Sequence, residues 1–388
     1  MFLSRLPPGG AAGEGRPRAA WHMDNRENTS SKAEAPEDAA GGFAQEVRKK
    51  RRWLLLSAVI AIFSIWAVTS QWKGFSLAAF REDLQQADIR WLIPAVLCML
   101  GFVVFEACAL KVSCNALNYR TSLGRACSYS AADIYFSAIT PSASGGQPAC
   151  LLLMRRDGIP GSVGTAVLLL TLAMYALAIL TIGAVCALLA PRVFLVFDTT
   201  GQVLIVIGYA AQIMLAALFL MMILRERMLE KACRGLIHLL AKLRLLRREE
   251  AILARLDKTM AAYRRSAQML SGHRGLLRRS FLFNLLQRVS MIAVTMFTYL
   301  AMGGDLRLAG DIFAMQSYVV IGSNCVPIPG AMGVADYLML DGFENFLPAD
   351  LVVSMELISR SLSFYICVLL CGVFVFFMTA RKRKGAAL

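Results

Sequence analysis

Histidine is nearly missing from this 388-residue chain. His22, His238 and His273 are the whole supply, and none falls within a long apolar run. A His-ligated haem or zinc site inside an apolar bundle has no material to be made from. The ten cysteines include no C-x-x-C pair, and Cys98, Cys108, Cys186, Cys367 and Cys371 lie in apolar segments. They read as small packing residues rather than disulfide partners or metal ligands. No cofactor, metal or catalytic residue is expected. Charge is scarce too, at 17% of residues against 57% hydrophobic, which sets the chain among polytopic membrane proteins rather than soluble domains. Residues 1–46 lack a long apolar run and are rich in Gly, Ala, Pro and charge. The expectation there is a disordered cytoplasmic tail and not a secretory signal.

The charge that is present is mostly positive, a net +15. No nucleic-acid-binding pattern accompanies it, so nucleic acid is not an expected partner. Lys and Arg held on the cytoplasmic side of a membrane explain it instead. A span needs roughly 20 apolar residues. The sequence predicts an all-α polytopic membrane protein with about six full spans, near 53–72, 91–112, 162–189, 203–224, 280–302 and 353–379. Trp53, Trp72 and Trp91 stand at span ends, where indole favours the headgroup layer. The membrane domain is read as 47–380, with a basic cytoplasmic tail over 381–388.

Two further apolar segments, about 126–153 and 309–342, carry Pro/Gly interruptions: "AITPSASGGQPACLLLMRR" from Ala138 and "SNCVPIPGAMGVADY" from Ser323. Charge placement says how they run. Arg48 to Arg52 hold the N-terminus inside, and the loop 73–90 balances Lys73, Arg81 and Arg90 against Glu82, Asp83 and Asp88. Lys111, Arg120 and Arg125 precede the first broken segment, and Arg155 and Arg156 follow it, so it enters and leaves on the cytoplasmic face. Segment 225–279 carries 15 Lys/Arg against 5 Asp/Glu and is cytoplasmic. Span five exits to a weakly acidic stretch, Asp305, Arg307 and Asp311, and Glu344 and Asp350 follow the second broken segment, which places it on the outer face. Arg381 to Lys384 then return the C-terminus inside. Span two, break and span three thus mirror span five, break and span six. Inverted repeats with broken helices are a transporter signature, with the site where the breaks meet. The alternative is a kinked helix pair that crosses twice.

Unpaired backbone in lipid costs several kcal/mol per group, so a break persists only when protein covers it or water reaches it. Pro141, Pro327 and Pro329 lack an N–H, while Gly145, Gly146, Gly330 and Gly333 permit sharp turns. Thr140, Ser142, Ser144 and Gln147 add hydrogen-bonding groups to the first break, and Asn324 and Asp336 to the second. Arg155 and Arg156 read equally as a lipid-phosphate clamp or as a basic cap. Glu356 and Arg360 share a helical face at four-residue spacing. Arg360 and Asp336 are the preferred pathway residues; Asp133, Glu106 and Arg288 are further candidates, with snorkelling as the plain account of Arg288. Within 225–279, Ile252, Leu253, Leu256 and Met260 line one helix face, which suits a lipid-surface helix or a solvated hairpin.

"TPSASGGQPACLLLMRRDGIP", "PIPGAMGVAD" and "SRSLSFYICVLLCG" together resemble the lysylphosphatidylglycerol synthase transmembrane-region, or flippase-like, family over about residues 50–380. Gln147 stands where that family usually has Glu, Ala331 replaces a Gly, and Asp336 replaces Glu. Nothing like the family's soluble aminoacyl-transferase domain follows span six. The resemblance implies translocation of an anionic or aminoacylated lipid headgroup between leaflets, in a bacterial inner membrane. The alternatives are an intramembrane transferase acting on a lipid-linked substrate, and a non-transporting partner of a separate lipid-modifying enzyme. Membrane lipids are the expected partners, with a homo-oligomer or a separate synthase as protein partners.

Overall fold

The computed structural model describes residues 85, 87–140, 144–242, 249–324 and 333–385. The expected tail 1–46, the first span 53–72, and Pro141, Pro327, Pro329 and Gly330 lie outside the described residues.

Helices make up the described chain. α1 (Ile89–Ala116) starts where the Asp88 carboxylate accepts from Arg90 N, and α2 (Leu123–Ile139) starts at Ser122. The short α3 (Gly146–Arg156) follows the first break, and α4 (Gly161–Leu189) follows Pro160. α5 (Thr199–Leu224) is capped by Asp198, whose side chain accepts from Gly201 N at 2.6 Å. These caps occupy donors that the first turn of a helix leaves unpaired. α6 (Glu226–Lys242) and α7 (Glu249–Gly272) form the basic hairpin, and α8 (Arg274–Ala301) returns to the apolar layer. α9 (Ala309–Ser323), α10 (Val334–Phe343) and α11 (Ala349–Arg360) come next. A π-helical turn, Ser361–Ile366, joins α11 to α12 (Cys367–Gly385).

Among the described residues, five helices are long and apolar enough to cross a membrane: α1, α4, α5, α8 and the stretch Ser354–Met378. They match five of the six expected spans. In the first apolar segment α2 ends at Ile139 and α3 begins at Gly146; in the second α9 ends at Ser323 and α10 begins at Val334.

The bundle is apolar on its outer face and buries several polar residues among its apolar cores. Leu97, Val203, Val206, Leu369, Phe376 and Phe377 are exposed, whereas Glu106, Gln212, Asn284, Gln287 and Arg288 are buried. That inverts the soluble pattern and suits a hydrocarbon solvent. α1 and α8 form the most extensive helix pair. α2 packs on α1 and α12, and α9 packs on α8 and α4. Three apolar cores brace the bundle. Leu110, Tyr129, Met154, Leu170 and Leu270 fill the first. Phe197, Ile312, Met315, Leu338 and Phe343 fill the second, and Met99, Ala131, Val294 and Ile358 the third.

The hairpin is held by charge. Glu230 on α6 receives Arg234 at 3.1 Å and Arg264 of α7 at 3.0 Å, and Arg234 also pairs with Asp257. Met260 and Tyr263 of α7 are buried, and Tyr263 OH donates to the Met222 carbonyl at the end of α5. One face of α7 therefore packs on the bundle.

Candidate functional site

The first break is built around one hydroxyl. Thr140 ends α2 in an extended conformation, as suits a residue before proline. Its Oγ1 donates to the Phe136 carbonyl at 2.6 Å and accepts from Gly145 N at 2.8 Å. One side chain thus satisfies a last carbonyl of α2 and an amide at the start of α3. Gly146 then brings α3 against α2: a Cβ there would stand 2.1 Å from both Asp133 Oδ1 and Ser137 Oγ. The close approach delivers Gln147 to Asp133, and Gln147 Nε2 donates to Asp133 Oδ2 at 2.8 Å.

Beside this contact lies a cavity of about 480 Å³. α1 supplies Phe102 and Glu106, α2 Asp133 and Ser137, α3 Gln147, and α4 Thr171 and Tyr175. α5 adds Gln212, and α8 adds Asn284, Gln287 and Arg288. Asn324, at the second break, closes one wall, and Ser363 and Phe364 of the π turn another. Residues at both breaks therefore face one space.

Its charges are few and specifically held. Gln287 Nε2 donates to Glu106 Oε2 at 2.9 Å. Arg288 is 8% exposed, with its guanidinium 4.9 Å from the Phe102 ring centroid and 4.4 Å from that of Tyr175. Ring faces hold the cation on both sides. Asn324 Nδ2 donates to Tyr175 OH at 3.3 Å, linking the second break to the same ring. Several buried polar atoms have no hydrogen-bond partner: Gln147 Oε1, Asn284 Oδ1 and Arg288 Nε. Such atoms are costly when dry, so the cavity is suited to water or a polar ligand.

A second polar cluster stands apart from the cavity lining. Arg360 pairs with Asp336 and, at 3.0 Å, with Glu356. Asp336 also accepts from the backbone N–H of Gly333 at 2.9 Å, where φ is +82°, a conformation open to glycine. Three expected pathway residues thus meet, and they tie α10 to α11.

The other expected residues divide. Gln147 and Asn324 line the cavity, and Thr140, Gly145 and Gly146 shape the break beside it. Arg155 and Arg156 are exposed at the end of α3. The snorkelling account of Arg288 is corrected. α8 begins at Arg274, not 280, so Arg288 sits halfway along it, and its head is buried between two rings. Sequence reasoning passed over Asn284 and Gln287. Their spacing from Arg288 was the available signal: 284, 287 and 288 share one face of a helix otherwise rich in apolar residues.

Residues 53–371 match the family model described as "Lysylphosphatidylglycerol synthase TM region". The chain belongs to that family. The matched stretch takes in both breaks and every residue that lines the cavity. A UPF0104 membrane protein of Archaeoglobus fulgidus is 24% identical over 275 residues, covering 69% of this chain and 80% of that relative. Within the matched stretch, Gln147 donates an N–H to Asp133.

Proposed function

We propose that this protein moves a phosphate-bearing lipid headgroup between leaflets of the cytoplasmic membrane, with the cavity as the transient site. The observation that carries this reading is a cavity inside an apolar-faced bundle that gathers charged and amide side chains from several helices and residues from both breaks. Arg288 is the anion contact, helped by amides of Asn284, Asn324 and Gln212. The headgroup stays among these groups while the acyl chains remain in lipid.

The helix contacts support the inverted-repeat layout. α1 and α8 are equivalent spans under it, and they pair with each other. α2 on α12 has its counterpart in α9 on α4. The breaks then dip from opposite faces, and rocking of one repeat against the other exposes the cavity to each side in turn. Arg155 and Arg156, exposed on the cytoplasmic side in this layout, gather anionic headgroups at the surface.

The test is leaflet transfer in liposomes holding the full chain and a fluorescent phosphatidylglycerol, read by quenching of the outer leaflet. The wild type should transfer the lipid. Arg288→Gln should slow transfer by about tenfold or more, as expected for loss of a charge-assisted contact. No transfer of phosphatidylglycerol, an aminoacylated phospholipid or a polyprenyl phosphate would sink the reading.

A transferase reading is favoured by one feature, the acids Glu106 and Asp133 on a single cavity. Asp336 does not join them and sits with Arg360 and Glu356 instead. Conversion of a labelled lipid by the purified protein would decide for the enzyme.

A further inference from the structure

Glu106 on α1 and Asp133 on α2 line the same cavity. Each also accepts an amide N–H, from Gln287 and Gln147 respectively. The positive charge that acts on both is Arg288 of α8, whose guanidinium rests against rings. The other titratable groups facing the pair are Tyr175 on α4, Cys150 on α3 and Cys371 on α12, none of which brings a positive charge. Asn284 Oδ1 and Arg288 Nε, on residues more than nine-tenths buried that line this cavity, have no hydrogen-bond partner. They mark it as a ligand site independently of the acids.

Net charge is strongly disfavoured away from water. With both acids ionised, Arg288 balances only one of them. One proton shared between the two carboxyls makes the empty cavity neutral. A phosphate diester at Arg288 adds one negative charge, and a second proton on the acid pair restores neutrality. Resting on the transport reading above, we propose that Glu106 and Asp133 form a proton site that takes up one proton for each anionic headgroup bound at Arg288. The proton comes from water in the cavity, forms an O–H bond on a carboxylate oxygen, and returns to water when the headgroup leaves. No other co-reactant is needed. Both acids already accept amide N–H groups, which suits a proton better than a coordinated sodium ion.

The test uses the purified full chain in detergent with a pH-indicating dye in weak buffer. Dihexanoylphosphatidylglycerol, inorganic phosphate and uncharged dihexanoylglycerol are added in separate arms, with binding followed in parallel. Proton uptake that saturates with binding of the anionic lipid, and is absent with dihexanoylglycerol, supports the proposal. Uptake with inorganic phosphate too assigns recognition to the phosphate group; uptake with the lipid alone assigns it to the lipid headgroup. E106Q and D133N should each lose the uptake, provided that they elute as the wild type does. If they do not fold, the wild-type arm decides alone. Failure of the lipid to bind, binding without uptake, uptake unchanged in both variants, or a requirement for sodium overturns the proposal. In liposomes, lipid transfer that ignores an imposed pH gradient also sinks it and leaves transport standing. Proton uptake without any lipid transfer sinks transport alone.

Discussion

Gly146 sets how closely α2 and α3 meet. A Cβ at that position would also lie 2.5 Å from the Asp133 carbonyl, which cannot rotate away. Gly146→Val should destabilise the protein by about 1–3 kcal/mol through overpacking. The measurement is a thermal melt in detergent, with Gly275→Val as a control whose added Cβ meets nothing within 4 Å. An equal melting temperature for both variants would contradict the close approach. The glycine pair was legible as a break because its residue type signals one. The partner of the break was not. Asp133 lies 13 residues before Gly146, Glu106 and Arg288 come from other helices, and a single sequence holds no record of which faces converge.

At the scale of elements, two clamps hold α10. The first is Arg360 with Asp336 and Glu356, whose side chains are 20%, 40% and 14% exposed. Removing the cation leaves two carboxylates facing each other. Arg360→Ala should cost about 1–3 kcal/mol, less than a fully buried pair because water reaches Asp336. Arg360→Lys should recover part of it, since an ammonium keeps the charge but not the forked geometry. Equal unfolding midpoints for wild type and Arg360→Ala would refute the clamp. The spacing of Glu356 and Arg360 made half of this cluster legible; Asp336 joins only through the tertiary fold.

The second clamp lies at the start of α5. Tyr337 OH donates to Asp198 Oδ2 at 2.7 Å, and Asp198 N donates to Asp341 Oδ2 at 3.0 Å. The Gly201 amide, then the Tyr337 hydroxyl, hold the Asp198 carboxyl below its ordinary value. A depressed acid stabilises the folded state above its unfolded value and loses that contribution as pH falls through the folded one. The Asp198 contribution to the clamp is therefore intact at neutral pH and lost only in strong acid. Protection of α10 amides, taken as exchange corrected for its intrinsic pH dependence, should fall below the usual Asp range in the wild type. In Asp198→Asn that pH dependence should be absent; persistence of it would place the titration elsewhere.

For the whole molecule, the governing fact is the solvent. Hydropathy was enough to mark five of the expected spans, because a bilayer demands long apolar helices and penalises every exception. The same demand hid the cavity: polar residues scattered singly over many helices read as isolated exceptions until the bundle gathers them. The topology has its own test. Cysteines placed at Ser144 and Ala331 should react with an impermeant maleimide from opposite sides of the membrane. Labelling of both from one side would refute entry of the two breaks from opposite faces.

The π turn after Arg360 has a mechanical meaning. Ser361–Ile366 gives this helix a surplus residue within an otherwise continuous rod, and Ser363 and Phe364 sit on it. Sliding that surplus one position along the chain would turn the segment it passes by about 100°, the angle of one residue in a helix. Ser363 and Phe364 both stand on the cavity wall, so a shift of that kind would alter the lining without either end of the rod moving.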